Sequence, residues 1–320
     1  MGVSSRRCTA SRDTGVGVMG CSECVTRGRR AQALIPRAQA CLTDCVRKGA
    51  GMKTKWWIWL LGLMFGLVAD ALAETPAVTS STWRGFKRLD FVVAGRPALL
   101  VVPKTPAAGK PWIWRTEFFE HEPQADLALL ERGWHVAYVN AQDMYGAPRA
   151  VAIFDGFYEL VTQRYNLARR VVLEGLSRGG LYAFNYAVTH PERVAALYLD
   201  APVLNVHSWP GRNKDTPGGA KLWRELRECY GLSVEAAQNF KDSPIDHIDI
   251  VAKAGVPILL IAGDADETVP YTENGAILKK RYDELHAVCE VILKPGGKHH
   301  PHSLVDPAPI LEFVLKYVRF

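Results

Sequence analysis

The stretch Val171-Val172-Leu173-Glu174-Gly175-Leu176-Ser177-Arg178-Gly179-Gly180 constrains the fold more than any other part of the chain. A β-favouring apolar run leads into it, and Leu181 to His190 reads as a helix leaving it, so a strand must pass into a helix through a sharp turn. Gly175, Gly179 and Gly180 remove the Cβ atoms that would collide at such a turn. Ser177 is thereby forced outward at its tip, on strained backbone. The residues fit G-x-S-x-G. Taken alone, the same pattern also fits a glycine-rich turn that merely packs well or holds a phosphate.

The rest of the chain supplies the context. Phe86 to Val93 and Pro97 to Val102 read as strands joined by Ala94-Gly95-Arg96, after a polar lead-in from Ser80 to Gly85. Further strands are expected at Trp112–Arg115, Trp134–Val139, Val194–Leu199, Pro257–Ala262 and Val288–Leu293. Helices are expected at Gln124–Arg132, Arg149–Tyr165, Thr272–His286 and Ala308–Val318. The second of these places Phe154, Phe157, Tyr158, Val161 and Tyr165 at three- and four-residue spacing. Residues 203–256 break the alternation with a loop around Trp209-Pro210-Gly211 and two helices, Lys221–Tyr230 and Val234–Phe240, read as a small cap. Strands interleaved with helices imply an α/β architecture: an eight-stranded, mostly parallel sheet with helices on both faces and a small helical cap insert.

Charge separates the beginning of the chain from its body. Of 39 Lys+Arg and 33 Asp+Glu, residues 1–73 hold 11 and 4, which leaves 28 basic and 29 acidic residues in 74–320. The formal charge of +6 is therefore a property of the beginning, and no basic stripe in the body calls for nucleic acid. Met52 to Lys55 is a short basic start, Trp56 to Val68 an uncharged apolar run, and Ala71-Leu72-Ala73 an A-x-A cleavage site. This is the layout of a signal peptide over 52–73, shorter than the ~20 apolar residues of a comfortable membrane span, with an uncleaved N-terminal anchor as the alternative. A signal peptide is read from an N-terminus, so residues 1–51 are expected to be an over-extended start, and 74–320 the exported body. Five of the seven cysteines fall in 1–51, where Cys21-x-x-Cys24 and Cys41-x-x-x-Cys45 lack the strands of a zinc ribbon. Cys229 and Cys289 remain, as free thiols or as a pair.

In a parallel α/β sheet, functional groups collect at the carboxyl ends of the strands. Three such ends carry candidates in chain order. Ser177 follows the central strand, Asp264 and Asp266 follow Ile258–Gly263, and His299, His300 and His302 follow the last strand. A serine hydroxyl becomes a nucleophile when a histidine takes its proton, and the histidine in turn needs an acid to fix its tautomer. Three clustered histidines are also a conceivable metal site, but a serine of this kind requires no metal, and no cofactor is expected.

Residues 86–320 resemble an α/β-hydrolase-fold enzyme, of the serine-esterase-like, secreted bacterial type. Gly175–Gly180, His190-Pro-Glu-Arg-Val194, Gly263-Asp-Ala-Asp-Glu-Thr-Val-Pro270 and Gly296–Pro301 carry the likeness. The resemblance implies Ser177 as nucleophile, Asp266 as acid from G-x-x-D-x-x-V-P, and His299 as base from G-x-x-H-x-P. Asp200 and Asp264 remain rival acids, and His300 and His302 rival bases. It further implies an oxyanion hole of two backbone N–H groups, one from Arg178 and one from Thr116 or Glu117. Relatives often carry His-Gly at the latter loop; Arg115-Thr116-Glu117 stands there instead. Arg115, Tyr145 and Trp209 are candidate substrate contacts, Arg115 and Glu117 could instead pair with each other, and Trp112, Trp114 and Trp223 are further possible aromatic walls. The expected activity is hydrolysis of a small-molecule or saccharide ester through an acyl-enzyme, with no nucleic-acid partner and no membrane span after signal cleavage. A peptidase of the same fold and a non-catalytic binding protein are the alternatives.

Overall fold

The computed structural model describes residues 77–318. The expected signal segment 52–73 and the segment 1–51 lie outside the described residues. Nine strands form one sheet in the order β1-β2-β3-β5-β4-β6-β7-β8-β9. They are β1 (Thr79–Trp83), β2 (Phe86–Val93), β3 (Arg96–Val102), β4 (Trp112–Arg115), β5 (His135–Val139), β6 (Val171–Leu176), β7 (Val194–Asp200), β8 (Ile258–Gly263) and β9 (Cys289–Lys294). The first three strands and the β3–β5 pair run antiparallel, and every pairing from β5 through β4 to β9 is parallel.

The ninth strand corrects the expected count of eight. Thr79–Trp83 has four exposed residues and one buried, so it carries no apolar alternation, yet it pairs with β2 along its whole length. Its turn is Arg84-Gly85, both at positive φ, as are Ala94-Gly95 between β2 and β3. Two residues in the left-handed region make the tight primed turn whose twist matches antiparallel strands. The Arg-Gly dipeptide was the only signal for β1.

Helices cover both faces. On one, α2 (Pro148–Arg164) and α3 (Gly179–Thr189) pack Phe154, Phe157 and Tyr186 against Trp112 and Trp114, all buried in a single core. On the other, α1 (Gln124–Glu131) and α8 (Ala308–Tyr317) bring Leu129, Ile310 and Val314 against Ile113, Val172 and Ile261. The alternation Trp-Ile-Trp-Arg in β4 thus feeds the two cores in turn, and Trp112 and Trp114 are not available to a ligand. Residues 203–256 contain α4 (Pro217–Tyr230), α5 (Val234–Gln238) and α6 (Ile248–Lys253). Thr216 caps α4 by accepting from the Gly219 N–H, and Gly231, left-handed, ends it. Its buried face is Trp223 and Leu226, so Trp223 too is core. The α7 helix (Gly275–Glu284) covers the β8–β9 side. Cys229 and Cys289 are both free thiols. Burial pushes the Cys289 thiol up to about 12.

Among the described residues no helix is long and apolar enough to cross a membrane. The topology instead determines where chemistry can gather. Strands β4, β6, β7, β8 and β9 are consecutive and parallel, so their carboxyl-terminal loops share one edge of the sheet.

Candidate active site

Ser177 stands at φ 49, a left-handed conformation that a non-glycine residue adopts only when its surroundings impose it. Its N–H donates to the Asp200 carbonyl at the end of β7, and its own carbonyl accepts from Gly180 and Val203. A Cβ on Gly175 would lie 2.9 Å from the Gly179 carbonyl oxygen, which explains the first glycine of the pattern. The turn therefore holds the serine up from the strand end, half-exposed.

The acid and the base arrive from β8 and β9. Gly263 lets their loops approach: a Cβ there would meet the Gly297 carbonyl oxygen at 2.1 Å. The Ala265 N–H donates to that same carbonyl, and the Asp264 carboxylate accepts from the Gly296 N–H at 2.6 Å. Asp264 thus ties the two loops together, leaving Asp266 to face His299. The His299 Nδ1 lies 2.7 Å from Asp266 Oδ2, and its Nε2 2.8 Å from Ser177 Oγ.

The protonation pattern follows from the bonds. Burial raises the Asp266 pKa, but bonds from His299 and from the Val269 and Thr268 amides outweigh it, and the net shift is downward. An ionised Asp266 can only accept, so His299 Nδ1 carries the proton and Nε2 presents a lone pair to the serine hydroxyl. Such a chain can take a proton from the hydroxyl as it attacks an electrophile.

The other strand-end candidates are engaged elsewhere. Asp200 accepts from His302 Nδ1 at 2.8 Å and from the Ser303 N–H at 2.9 Å. His300 is exposed, its ring against those of His121 and His302. Burial, followed by the neighbouring His302, lowers the pKa of both His121 and His300.

The loop after β4 corrects three expectations. The Thr116 N–H donates to the Glu174 carbonyl, so it is not free for an oxyanion. The Glu117 N–H and the Arg178 N–H have no acceptor among the described residues, and Glu117 N lies beside Gly179 at the elbow. Arg115 is fully buried and touches no open surface. It lies 3.1 Å from Asp126 and 2.7 Å from Glu174, and its guanidinium donates to the carbonyls of Phe118, His121 and Glu122. Phe118, Glu120 and Glu122 are all at positive φ, which curls the loop so that its carbonyls turn inward to that cation. Burial pushes Asp126 up by more than Arg115 pulls it down. A buried arginine thus shapes this loop.

Arg115 and Glu117 do not pair with each other. The buried Glu117 carboxylate grips Arg178, whose Nε donates at 3.0 Å to both oxygens. Burial raises the Glu117 pKa, against the pull of Arg178. Arg178 also pairs with the exposed Asp143 at 3.1 Å and lies over the rings of Phe118 and Tyr145. Tyr145, a candidate substrate contact, is wholly buried; its hydroxyl donates to Glu225 on α4, and its ring stacks on Trp209. It therefore joins α4 to the elbow, while Trp209 keeps part of its surface.

Sequence reasoning missed Glu174 and Asp126 as partners of Arg115, although a glutamate inside the apolar run of β6 was a visible anomaly. It also left several histidines without partners. His190 pairs with Asp155 at 2.8 Å, His207 Nε2 donates to the Phe240 carbonyl at 2.8 Å, and His247 pairs with Asp242.

Fold and relay together define an α/β-hydrolase-fold serine hydrolase. More narrowly, the profile of the prolyl oligopeptidase family matches residues 133–318, more than half of the chain, and the protein belongs to that family. No curated protein matches it. Among solved structures, the acylaminoacyl peptidase of Pyrococcus horikoshii superposes at TM-score 0.50 with 16% identity, over 80% of this chain and 43% of its own. A puromycin-hydrolyzing peptidase of Mycobacterium tuberculosis gives 0.51 and 16%, over 70% and 36%. Est1E from Butyrivibrio proteoclasticus gives 0.49 and 18%, over 75% and 98%. The chain thus spans less than half the length of the two peptidases, and likeness at this identity is a likeness of fold.

Proposed function

We propose that this protein is an exported serine hydrolase that cleaves a carboxylic ester through an acyl-enzyme on Ser177. One observation carries the reading: Ser177 Oγ, on a strained turn, lies 2.8 Å from the Nε2 of an imidazole whose other nitrogen is held by Asp266. In this mechanism His299 takes the hydroxyl proton as Oγ attacks the acyl carbon. The tetrahedral oxyanion is met by the N–H groups of Arg178 and Glu117. His299 then protonates the departing alkoxide, and water, activated by the same imidazole, releases the acid.

Polar surroundings support a polar substrate such as a carbohydrate ester. Glu117 and Asp143 pair with Arg178, the residue after the serine, and Asp143 also lines a cavity of about 650 Å³ in which Arg96, Arg149, Glu225 and Glu228 stand beside Met144, Ala147 and Cys229. Export and a start at Met52 rest on the Met52–Ala73 layout, and N-terminal sequencing of the natural protein tests both: a mature start near Glu74 is expected, an uncleaved Met52–Ala73 segment would refute signal cleavage, and residues 1–51 on the exported protein would refute the start at Met52. Peptide hydrolysis is the second reading, favoured by the family match. Acetyl, longer-acyl and sugar esters assayed beside peptide amides, with Ser177→Ala as control, separate the two. Ester turnover that vanishes in the variant is expected. Preference for amides would overturn the ester reading, and turnover surviving in Ser177→Ala would overturn the mechanism.

A further inference from the structure

A second imidazole cluster lies beside the relay and takes no part in it. His121, His300 and His302 each present one ring nitrogen, and these atoms lie within 4.8 Å of one another. His121 belongs to the loop shaped by Arg115, while the other two follow β9, so the cluster joins two loops distant in sequence. The carboxylate of Asp200, fully buried, accepts from His302 Nδ1 at 2.8 Å. That bond fixes the tautomer and leaves Nε2 as the free lone pair, the arrangement that orients metal-ligating histidines. His302 is itself buried, so its nitrogen is fixed in place.

The remaining two ligands are adjustable. His121 and His300 are exposed. With bonds of about 2.0–2.1 Å, tetrahedral coordination needs its nitrogens roughly 3.3–3.4 Å apart. Rotation of the two exposed rings supplies that closure around the fixed His302. Both His300 and His302 line a cavity of about 260 Å³, together with Glu122, Gln124 and Lys298, which gives an ion a path from solvent. Three neutral imidazoles with no thiolate suit zinc and its neighbours, rather than magnesium or calcium, which prefer oxygen.

We propose that His121, His300 and His302 form a zinc-class divalent metal site with an open fourth position, oriented by Asp200 and clamping the loop after β4 to the loop after β9. This inference is independent of the substrate of Ser177. It replaces the expectation that the histidine cluster needs no metal, and it recruits His121 in place of His299.

The test uses the full chain, freed of metal and titrated with Co²⁺ and Zn²⁺. One Co²⁺ per chain with visible d–d bands is expected, together with a rise in melting temperature on adding Zn²⁺. His121→Ala, on an exposed loop, is expected to weaken binding by at least about tenfold and abolish the melting shift. His300→Ala should do the same, whereas Ser177→Ala should bind as the parent does. Melting of each metal-free variant shows that it is folded. Absence of Co²⁺ bands in the parent would overturn the proposal. So would unchanged binding in both His121→Ala and His300→Ala, or binding lost in His299→Ala but retained in His121→Ala.

Discussion

Two carboxylate–imidazole pairs stand at the carboxyl ends of the last three strands, Asp266–His299 after β8 and β9 and Asp200–His302 at the end of β7 and after β9. Their inner geometry is almost the same, with Nδ1 to carboxylate distances of 2.7 and 2.8 Å. Each carboxylate is buried, and each also accepts from the backbone: Asp266 from Thr268 and Val269, Asp200 from Ser303. The difference lies outside each pair. His299 presents its second nitrogen to a serine hydroxyl, while His302 packs against the rings of His121, His299 and His300 and, among the described residues, meets no hydroxyl nucleophile. A carboxylate behind a histidine fixes a tautomer; what faces the other nitrogen decides its use.

The largest effect separating the pairs should be chemical. His299→Ala and Asp266→Asn are each expected to lower kcat by about 10⁴-fold, the first by removing the base and the second by presenting the wrong tautomer. Kinetics on the best ester found would check this, and comparable losses from a change at Asp200 alone would erase the distinction.

Next comes the arginine beneath both sites. Arg115→Met leaves Asp126 and Glu174 buried without their cation and frees the carbonyls of Phe118, His121 and Glu122. A loss of about 3–5 kcal/mol in urea unfolding is expected. Because the same loop carries the Glu117 N–H and His121, ester turnover and metal affinity should fall together. A variant as stable as the parent would show that the cluster does not hold the loop.

A smaller loss should mark the second pair. His302→Ala strands the Asp200 carboxylate with one remaining protein partner for that oxygen pair, Ser303 N–H, and with Lys294 at 4.0 Å. About 2–3 kcal/mol is expected, more than for His299→Ala, whose imidazole has contact with the half-exposed Ser177. Equal melting temperatures would break the comparison from the side of stability.

A third buried imidazole sharpens the point by lacking a carboxylate. Among the described residues His135 Nδ1 faces the Pro111 carbonyl at 3.4 Å and no carboxylate, and burial lowers its pKa to about 4. The folded protein therefore resists a proton that the unfolded chain accepts near pH 6.5. Its contribution is complete above that value and is lost as pH falls toward 4, amounting to about 2 kcal/mol by pH 5. Urea midpoints between pH 7 and 4.5 would check it: His135→Phe should flatten the decline, and an unchanged slope would refute the assignment.

Much of this was legible in the residues. The strand–turn–helix at Ser177 and the alternation around it determined the parallel sheet, because apolar runs and three-to-four spacing are local signals. The approach of Asp266 and His299 to Ser177 followed from topology, since strand ends of a parallel sheet share an edge. The edge strand β1 was hidden because its residues are mostly exposed and polar. Thr116, Arg115 and Tyr145 were misread for another reason: sequence shows which groups reach the site edge, not which bonds consume them. Only the fold revealed that the Thr116 N–H is spent on Glu174, that Arg115 is sealed between two carboxylates, and that Tyr145 bonds Glu225. The rivalry among histidines had the same origin, because His299 and His302 carry the same carboxylate device three residues apart.

The most direct measurement is mass spectrometry of the full chain after treatment with an active-site phosphonate, comparing the parent with His299→Ala. A single adduct on the peptide bearing Ser177, formed rapidly in the parent and lost in the variant, is the predicted result. An adduct elsewhere, or labelling of Ser177 at the parental rate without His299, would contradict the relay.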